Sequence, residues 1–170
     1  MIARNSSKFL SGIAMIMFLV APYTAGTGHI AIPAAAFQPL NNAVAYSNYG
    51  SGISTGGAYW WYPFHAPLQL PDHAVITGMT YYWSDYSPDA DTYVDFVESN
   101  LDGTTNVVST AYSNGGTGIA SSSTVTMTLT VDNSIHAYYL DMSFASGDAY
   151  SGYGVVIDYT YPVLLPLIRR

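Results

Sequence analysis

The strongest constraint on the fold is a strict alternation of apolar and polar residues near the end of the chain. Residues 123–131 place Val125, Met127, Leu129 and Val131 on one side and threonines on the other. This two-residue period is typical of a half-buried strand. Residues 134–144 and 150–161 continue the pattern. The inward residues predicted there are His136, Tyr138, Leu140, Met142 and Phe144, and then Tyr153, Val155, Ile157, Tyr159 and Tyr161.

A longer strand is predicted at residues 75–84, where the alternation is interrupted once. Ile76 fits one face, whereas Met79, Tyr81 and Trp83 fit a face offset by one residue. A β-bulge at Thr77–Gly78 would bring all four side chains onto one side, because an extra residue shifts the period.

Together these segments predict an all-β fold. Further strands are predicted at residues 29–37, 43–46, 59–64, 92–98 (with Val94 and Phe96 inward) and 106–112, and residues 47–57 are predicted to be a loop. Asn100–Gly103 carries the Asp-Gly signal of a tight hairpin. We expect a single domain of eight or nine strands, folded as an antiparallel two-sheet sandwich of the jelly-roll kind.

The first 26 residues are typical of a signal peptide. Arg4 and Lys8 precede an apolar run at residues 9–21, and small residues at 24–26 suit cleavage at about Gly26. The alternative is a retained N-terminal anchor helix. We therefore divide the chain into a signal peptide (1–26), a β-sandwich (27–161) and an apolar tail (162–170), and we expect a secreted or cell-surface protein. The tail could pair within its own sheet or with a neighbouring molecule.

The net charge of the chain limits the classes of molecule that it can bind. All 11 acidic residues follow residue 26, and only Arg169 and Arg170 among the 4 basic residues do, so the mature charge is 2 − 11 = −9. Such a chain lacks the cationic surface that nucleic acids and anionic lipids require. The absence of cysteine means that packing rather than disulfides holds this exported chain together.

Three segments resemble a group of exported bacterial β-sandwich proteins of unassigned function. They are Ala66-Pro-Leu-Gln-Leu-Pro, Ala74-Val-Ile-Thr and Tyr81-Tyr-Trp-Ser-Asp85. The group carries an "APLxLPxGAxIT…YYYxD" segment, and Gly154–Tyr159 matches its last strand. His73 stands where the group usually has Gly. The resemblance implies a fold and a compartment, and it implies no activity.

Aromatic residues form the first candidate binding site. The consecutive residues at 59–62 alternate between faces, so one face is core and the other is exposed or contacts a partner. Ordinary core and surface packing is one interpretation, and glycan binding and self-assembly are the others. The candidate ligand-binding residues are Tyr59, Trp60, Trp61, Tyr62 and Trp83.

An acidic segment forms the second candidate. Asp85, Asp89, Asp91 and Asp95 lie within eleven residues, and Ca²⁺ prefers several oxygen ligands from such loops. The spacing is not that of an EF-hand, and a solvated acidic loop is the alternative. No other cofactor is predicted.

Catalysis is not indicated. Glu98 is the only Glu, and Asp95 lies three residues before it on the opposite face of the same strand, which does not suit a glycosidase carboxylate pair. The four histidines lack metal-ligand spacing. Our main hypothesis is a non-catalytic surface or matrix protein that acts through protein contacts or self-assembly with other copies of itself. A carbohydrate-binding module that uses exposed aromatics is the alternative, and an enzyme is the third hypothesis.

Overall fold

The computed structural model describes residues 23–41, 45–55, 62–87, 91–113, 121–144 and 150–164. Within these ranges the only helical segment is a three-residue 3-10 turn at Ala34–Ala36. The strands are β1 (Tyr23–Pro33), β2 (Gln38–Pro39), β3 (Tyr46–Asn48), β4 (Ile53–Thr55), β5 (Tyr62–Leu68), β6 (Val75–Asp85), β7 (Tyr93–Asn100), β8 (Thr105–Tyr112), β9 (Ser121–Thr130), β10 (His136–Phe144) and β11 (Tyr150–Leu164).

The strands form two antiparallel sheets. The six-stranded sheet runs β3-β4-β11-β6-β9, and β1 also pairs with β11. The five-stranded sheet runs β2-β5-β10-β7-β8. The eight long strands are therefore ordered β1-β11-β6-β9 and β5-β10-β7-β8, which is the jelly-roll arrangement. The predicted all-β sandwich is confirmed.

The predicted strand count is too low. The described residues contain eleven strands rather than eight or nine, because two very short strands, β2 and β4, were not predicted. β3 overlaps the strand predicted at 43–46, and it forms a small hairpin with β4, which lies inside the predicted loop 47–57. Three-residue strands show no usable periodicity, so their sequence resembles a Gly/Ser loop.

The core lies between the two sheets and is built from the alternate residues of each long strand. Val94, Phe96, Leu140 and Met142 from the five-stranded sheet are fully buried, as predicted. From the opposite sheet they face large side chains that include Ile76, Met79, Tyr81, Trp83 and Ile157. Residues that alternate with these point away from the core, which sets the composition of the two outer faces.

The predicted bulge in β6 is confirmed. The register against β11 runs from Ile76↔Tyr159 to Gly78↔Asp158, so Thr77 is an extra residue. Because of this shift, Ile76 and Met79 both have no exposed surface. The hydrophobic pattern was sufficient here, since no regular strand could bury both side chains.

A second bulge overturns the prediction for Tyr153. Gly152 pairs with Trp83 and Gly154 with Tyr82, so Tyr153 is the extra residue in β11. Its side chain is 37% exposed, whereas Val155 and Ile157 are buried as predicted. A Cβ on Gly154 would lie 2.6 Å from the Ile32 carbonyl oxygen, so the strand needs glycine at this close approach.

Two turns fix the ends of the long strands. His73 has φ 60° in the turn that precedes β6, a left-handed conformation that suits Gly better than His. The predicted hairpin between β7 and β8 is present, and Gly103 adopts φ 87° in it. The Gly103 N–H donates to the Asn100 carbonyl at 3.0 Å.

The two ends of the described chain pair with each other. β1 lies antiparallel to β11 from Tyr23↔Leu164 to Pro33↔Gly154. The first residues of the apolar tail, 162–164, thus pair within the chain, with residues 23–25. β1 begins three residues before the expected cleavage position at Gly26. Within the described residues, no helix has the length and apolar character needed to cross a membrane.

Candidate functional site

The predicted aromatic residues are placed only in part. Tyr59, Trp60 and Trp61 lie outside the described residues, and of Tyr62 the structure gives only its pairing with Phe144 in the ladder. Trp83 is 1% exposed, and its Nε1–H donates to Ser123 Oγ at 3.1 Å. The Trp83 ring therefore belongs to the core and offers no exposed face to a ligand.

Of the acidic residues predicted to bind calcium, Asp85 and Asp91 lie near the same Ser113 hydroxyl, whereas Asp95 lies apart from them. Asp85 has no exposed surface, and its carboxylate accepts hydrogen bonds from the Ser87 N–H at 2.8 Å and from Ser113 Oγ at 2.5 Å. Asp91 is exposed, 3.5 Å from the same Ser113 hydroxyl. Asp95 lies on β7 and accepts a hydrogen bond from Thr110.

Asp89 lies outside the described residues. Over the part of the chain that the structure describes, no three His, Asp or Glu side chains form a group that could hold a metal ion. Calcium binding stays a prediction, and Asp95 is not positioned to share an ion with Asp85.

The outer face of the five-stranded sheet carries a row of polar side chains that crosses all five strands. The ladder places Gln38 beside His65, His65 beside Asp141, Asp141 beside Asp95, and Asp95 beside Thr110. We call these five residues the polar row. They occupy one row because neighbouring strands lie about 4.8 Å apart and the pairing is in register.

Aromatic side chains flank the polar row on both sides. On one side Tyr93 and Tyr112 are cross-strand partners with ring centroids 5.7 Å apart. On the other side Tyr139 packs against His65 of the polar row, with ring centroids 4.8 Å apart. Adjacent rows along a strand are separated by two residues, or about 7 Å. The result is a shallow surface of polar groups between aromatic rings.

The centre of the polar row is two carboxylates and an imidazole. His65 Nε2 lies 3.4 Å from Asp141 Oδ2, with 31% and 25% of the two side chains exposed. Among the described residues, Asp141 Oδ1 is buried and lacks a hydrogen-bond partner. Asp141 is therefore an acceptor with one oxygen unused, although it lies at a face that solvent reaches.

Burial raises the pKa values of both carboxyl groups. Burial raises the pKa of Asp141, His65 lowers it, and the charge of Asp95 raises it. Burial also raises the pKa of Asp95, against the lowering effect of its hydrogen bond from Thr110. Keeping two half-buried carboxylates side by side costs folding free energy, which is often a feature of binding sites.

Asp95→Asn is expected to stabilise the fold at neutral pH. The pKa of this carboxyl is higher in the folded chain than in the unfolded chain, so protons are taken up on folding. The free energy of unfolding therefore falls as pH rises from about 4 through the folded pKa. Asn has no carboxyl group to ionise, so the variant avoids this loss of stability, and its amide oxygen can still accept the hydrogen bond from Thr110. Solvent screens this half-buried carboxyl and keeps the effect small. We therefore expect the melting temperature at pH 7 to rise by about 1–2 °C, equivalent to ~0.5 kcal/mol in a domain of this size. Thermal unfolding across pH 3–8 measures it.

Asp102→Asn is the matched control, and its expected effect on stability has the opposite sign. Asp102 is exposed in the β7–β8 hairpin, and hydrogen bonds from Thr104 lower its pKa. This variant should be less stable than the parent at pH 7, and the difference should shrink as the pH falls below about 4. A gain for Asp95→Asn that persists at pH 3 would contradict the electrostatic cause.

A groove lies on the other side of the molecule, on the outer face of the six-stranded sheet. It measures about 810 Å³, and Pro33, Tyr82, Tyr153 and Val156 contribute to its walls. Among the described residues, no charged side chain lines it. This groove could bury the apolar surface of a ligand, but it lacks the neighbouring carboxylate acceptors of the polar row.

Two other features carry no catalytic geometry. Residues 52–56 spell Gly-x-Ser-x-Gly, a pattern that marks a nucleophile when the Ser sits on a strained strand-to-helix turn. Ser54 instead lies in the middle of β4, paired with Ser47. His136 lies 3.6 Å from Glu98, and Glu98 is opposite Tyr138 in the ladder, away from the polar row.

The polar row was missed by the sequence analysis, although part of its signal was present. Asp95 alternates with Val94 and Phe96, and Asp141 with Leu140 and Met142. Both acids could thus be placed on outer faces. Their pairing could not be predicted, because it needs the register of two strands that are distant in sequence.

No protein-family model and no curated protein matches the chain. Among solved structures, it is similar to the C-terminal CBM6 of a laminarinase from Zobellia galactanivorans, with TM-score 0.50 and 15% identity over 76% of this chain and 98% of that one. CsCBM6-3 from Clostridium stercorarium, solved with cellobiose, matches with TM-score 0.44 and 14% identity over 81% and 94% of the two chains. Isomalto-dextranase from Arthrobacter globiformis T6 matches with TM-score 0.46 and 15% identity over 78% of this chain and 23% of that one. At these identities the likeness extends to the fold alone.

Proposed function

We propose that the protein is an exported module that binds a glycan on the outer face of the five-stranded sheet. The observation that carries this proposal is the polar row between aromatic rings. Sugar rings have apolar C–H faces that pack on aromatic rings and hydroxyls that need acceptors at fixed positions. Tyr139, Tyr93 and Tyr112 supply the first kind of group, and Asp141 and Asp95 supply the second.

The proposal replaces self-assembly as the main hypothesis, and it moves the site within the fold. Trp83 is not part of it. The likeness to the laminarinase CBM6 fits a fold that can serve carbohydrate recognition, and that likeness alone assigns no ligand. The Asp141 carboxylate, 25% exposed on this face, favours a ligand rich in hydrogen-bond donors, because an ionised carboxylate only accepts hydrogen bonds.

Charge restricts the class of glycan. No Lys or Arg lies between Lys8 and Arg169, so a uronate or sulfate group would meet no cationic side chain in that part of the chain. Two carboxylates at the centre of the face would repel such groups at neutral pH. We therefore expect neutral or amine-bearing sugars to bind, and polyuronates to be excluded.

A glycan array with neutral, amino and uronic oligosaccharides tests the proposal, followed by titration calorimetry on the best ligand. Tyr139→Ala should weaken binding at least about tenfold, or ~1.4 kcal/mol, since it removes the ring that flanks Asp141. Asp141→Ala should weaken binding by a similar factor.

Tyr82→Ala is the matched control, because Tyr82 is 43% exposed on the opposite outer face. It should leave affinity unchanged, and circular dichroism should show that all three variants fold. A blank array would refute the proposal. Normal binding by Tyr139→Ala with a loss in Tyr82→Ala would move the site to the groove of the six-stranded sheet.

A further inference from the structure

The outer edge of β1 differs from the other sheet edges in the described part of the chain. Unpaired edges expose backbone N–H and C=O groups, and proteins protect them with short strands, charges, prolines, bulges or a covering segment. β2 has two residues, including Pro39, and β3 has three. The edges formed by β8 and β9 are bulged or irregular, and these two strands lie beside each other.

Within the described residues, β1 has none of these protections except the proline at its last position. It is eleven residues long, and its ladder with β11 shows no register shift. It contains no Asp, Glu, Lys or Arg, and its only proline is the last residue, Pro33. Among the described strands, β11 is its only partner. The free edge is therefore long, regular and uncharged.

The exposed feature of β1 is its edge rather than its inner face. A Cβ atom added to Gly26 would lie 2.7 Å from the Tyr161 ring, and one added to Gly28 would lie 2.6 Å from the Tyr159 ring. The tyrosines of β11 thus close the inner face of this pair of strands. Along the outer edge of β1, no described strand pairs with the backbone groups.

We infer that β1 pairs antiparallel with β1 of a second copy, which joins two six-stranded sheets across a two-fold axis near Gly28. A two-fold interface uses the same patch on both subunits, and an antiparallel strand pair meets this condition. Centred on Gly28, the middle of β1, the register uses all of Tyr23–Pro33, so the inference requires that cleavage of the signal peptide leaves residues 23–26 in place. This register puts Thr27 opposite the second copy's His29. Both side chains are exposed and point to the outer face.

Charge favours a second copy at this edge. The chain has a formal net charge of −7, so most faces of two copies repel each other. The β1 edge is uncharged, and the nearest acid in the ladder is Asp158, opposite His29 within the same chain. Pairing here brings no carboxylates face to face across the new strand pair, and added salt should strengthen it by screening the remaining repulsion.

The same comparison of edges predicts a closed dimer rather than a filament. Pairing through β1 uses the only long unprotected edge in the described residues, and the other edges stay short, bulged or flanked. This inference is independent of glycan binding, because β1 belongs to the other sheet.

Sedimentation velocity of the full chain over a range of concentrations tests the pairing. The parent should form a dimer that tightens with salt. Thr27→Lys/His29→Lys places two like-charged pairs across the axis and should weaken dimerisation at least about tenfold. Thr27→Glu/His29→Lys places two opposite-charged pairs in the same positions and should restore the dimer.

Thr126→Lys/Thr128→Lys on β9 is the control, because these two exposed threonines lie on a flanked edge strand. It should dimerise like the parent. A parent that stays monomeric at high concentration and high salt would overturn the inference. A dimer that resists Thr27→Lys/His29→Lys, or assembly into filaments, would overturn it as well.

Discussion

Replacing Trp83 with Ala is expected to lower the free energy of unfolding by about 3–5 kcal/mol, the usual cost of emptying a large buried aromatic site. Trp83 is 1% exposed between the sheets. It also donates to Ser123 Oγ, so truncation leaves both a cavity and a lost hydrogen bond. The melting temperature should fall by on the order of 10 °C for a domain of this size.

Urea unfolding measures the loss, and two variants make it specific. Trp83→Phe fills most of the space and should cost clearly less than Trp83→Ala. Tyr82→Ala removes the neighbouring, partly exposed ring on the opposite face, and should cost under about 1 kcal/mol. If Trp83→Ala kept its stability but lost glycan binding, Trp83 would be a binding residue and its assignment to the core would be wrong.

The contrast between Thr77 and Tyr153 explains how much of the fold the sequence could predict. At Thr77 four large apolar side chains are out of phase, and only a bulge buries them all. At Tyr153 the simple alternation already fits, so nothing in the local sequence calls for a bulge. Its cause is a close approach of Gly154 to the Ile32 backbone, which only the folded chain reveals.

The candidate site was harder to predict than the fold for a related reason. Alternation assigns a residue to a face, and it correctly separates Asp95 and Asp141 from the core. A binding surface also requires that particular residues be neighbours. The polar row joins Gln38, His65, Asp141, Asp95 and Thr110 across five strands. Its register follows from turns and bulges elsewhere in the chain, and no single segment contains it.

Asp85 and Asp95 show the limit of clustering in sequence as a signal for a shared site. Asp85 and Asp95 are close along the chain, yet one is buried at the end of the six-stranded sheet and the other faces solvent on the five-stranded sheet. Residues on consecutive strands that belong to different sheets can be close in sequence without being close in space. In a chain with 11 acids, proximity in sequence is weak support for a metal site.

Buried polar groups connect Asp85 to both sheets. Ser113 Oγ donates to Asp85 at 2.5 Å and accepts from the Thr92 N–H at 2.9 Å. Thr92 Oγ1 in turn donates to the Ser143 carbonyl at 2.8 Å and lies 2.9 Å from the hydroxyl of Tyr81. Burial raises the pKa of Tyr81, so its hydroxyl stays protonated and able to donate. The chain of bonds runs from β6 to β10 and ties the sheets together at one end.

Asp85→Ala is therefore expected to cost about 3–4 kcal/mol of unfolding free energy, because it removes two charge-assisted hydrogen bonds and leaves buried donors unpaired. Asp85→Asn keeps an acceptor and should cost less. Asp102→Ala, in the exposed hairpin, is the control and should cost much less than Asp85→Ala. Urea unfolding in EDTA and again in calcium separates the two roles of Asp85. The hydrogen-bond role predicts the full loss in EDTA. If Asp85→Ala matched the parent in EDTA and fell behind it only in calcium, Asp85 would act as a metal ligand, and the buried hydrogen bonds would not be what stabilises this end of the sandwich.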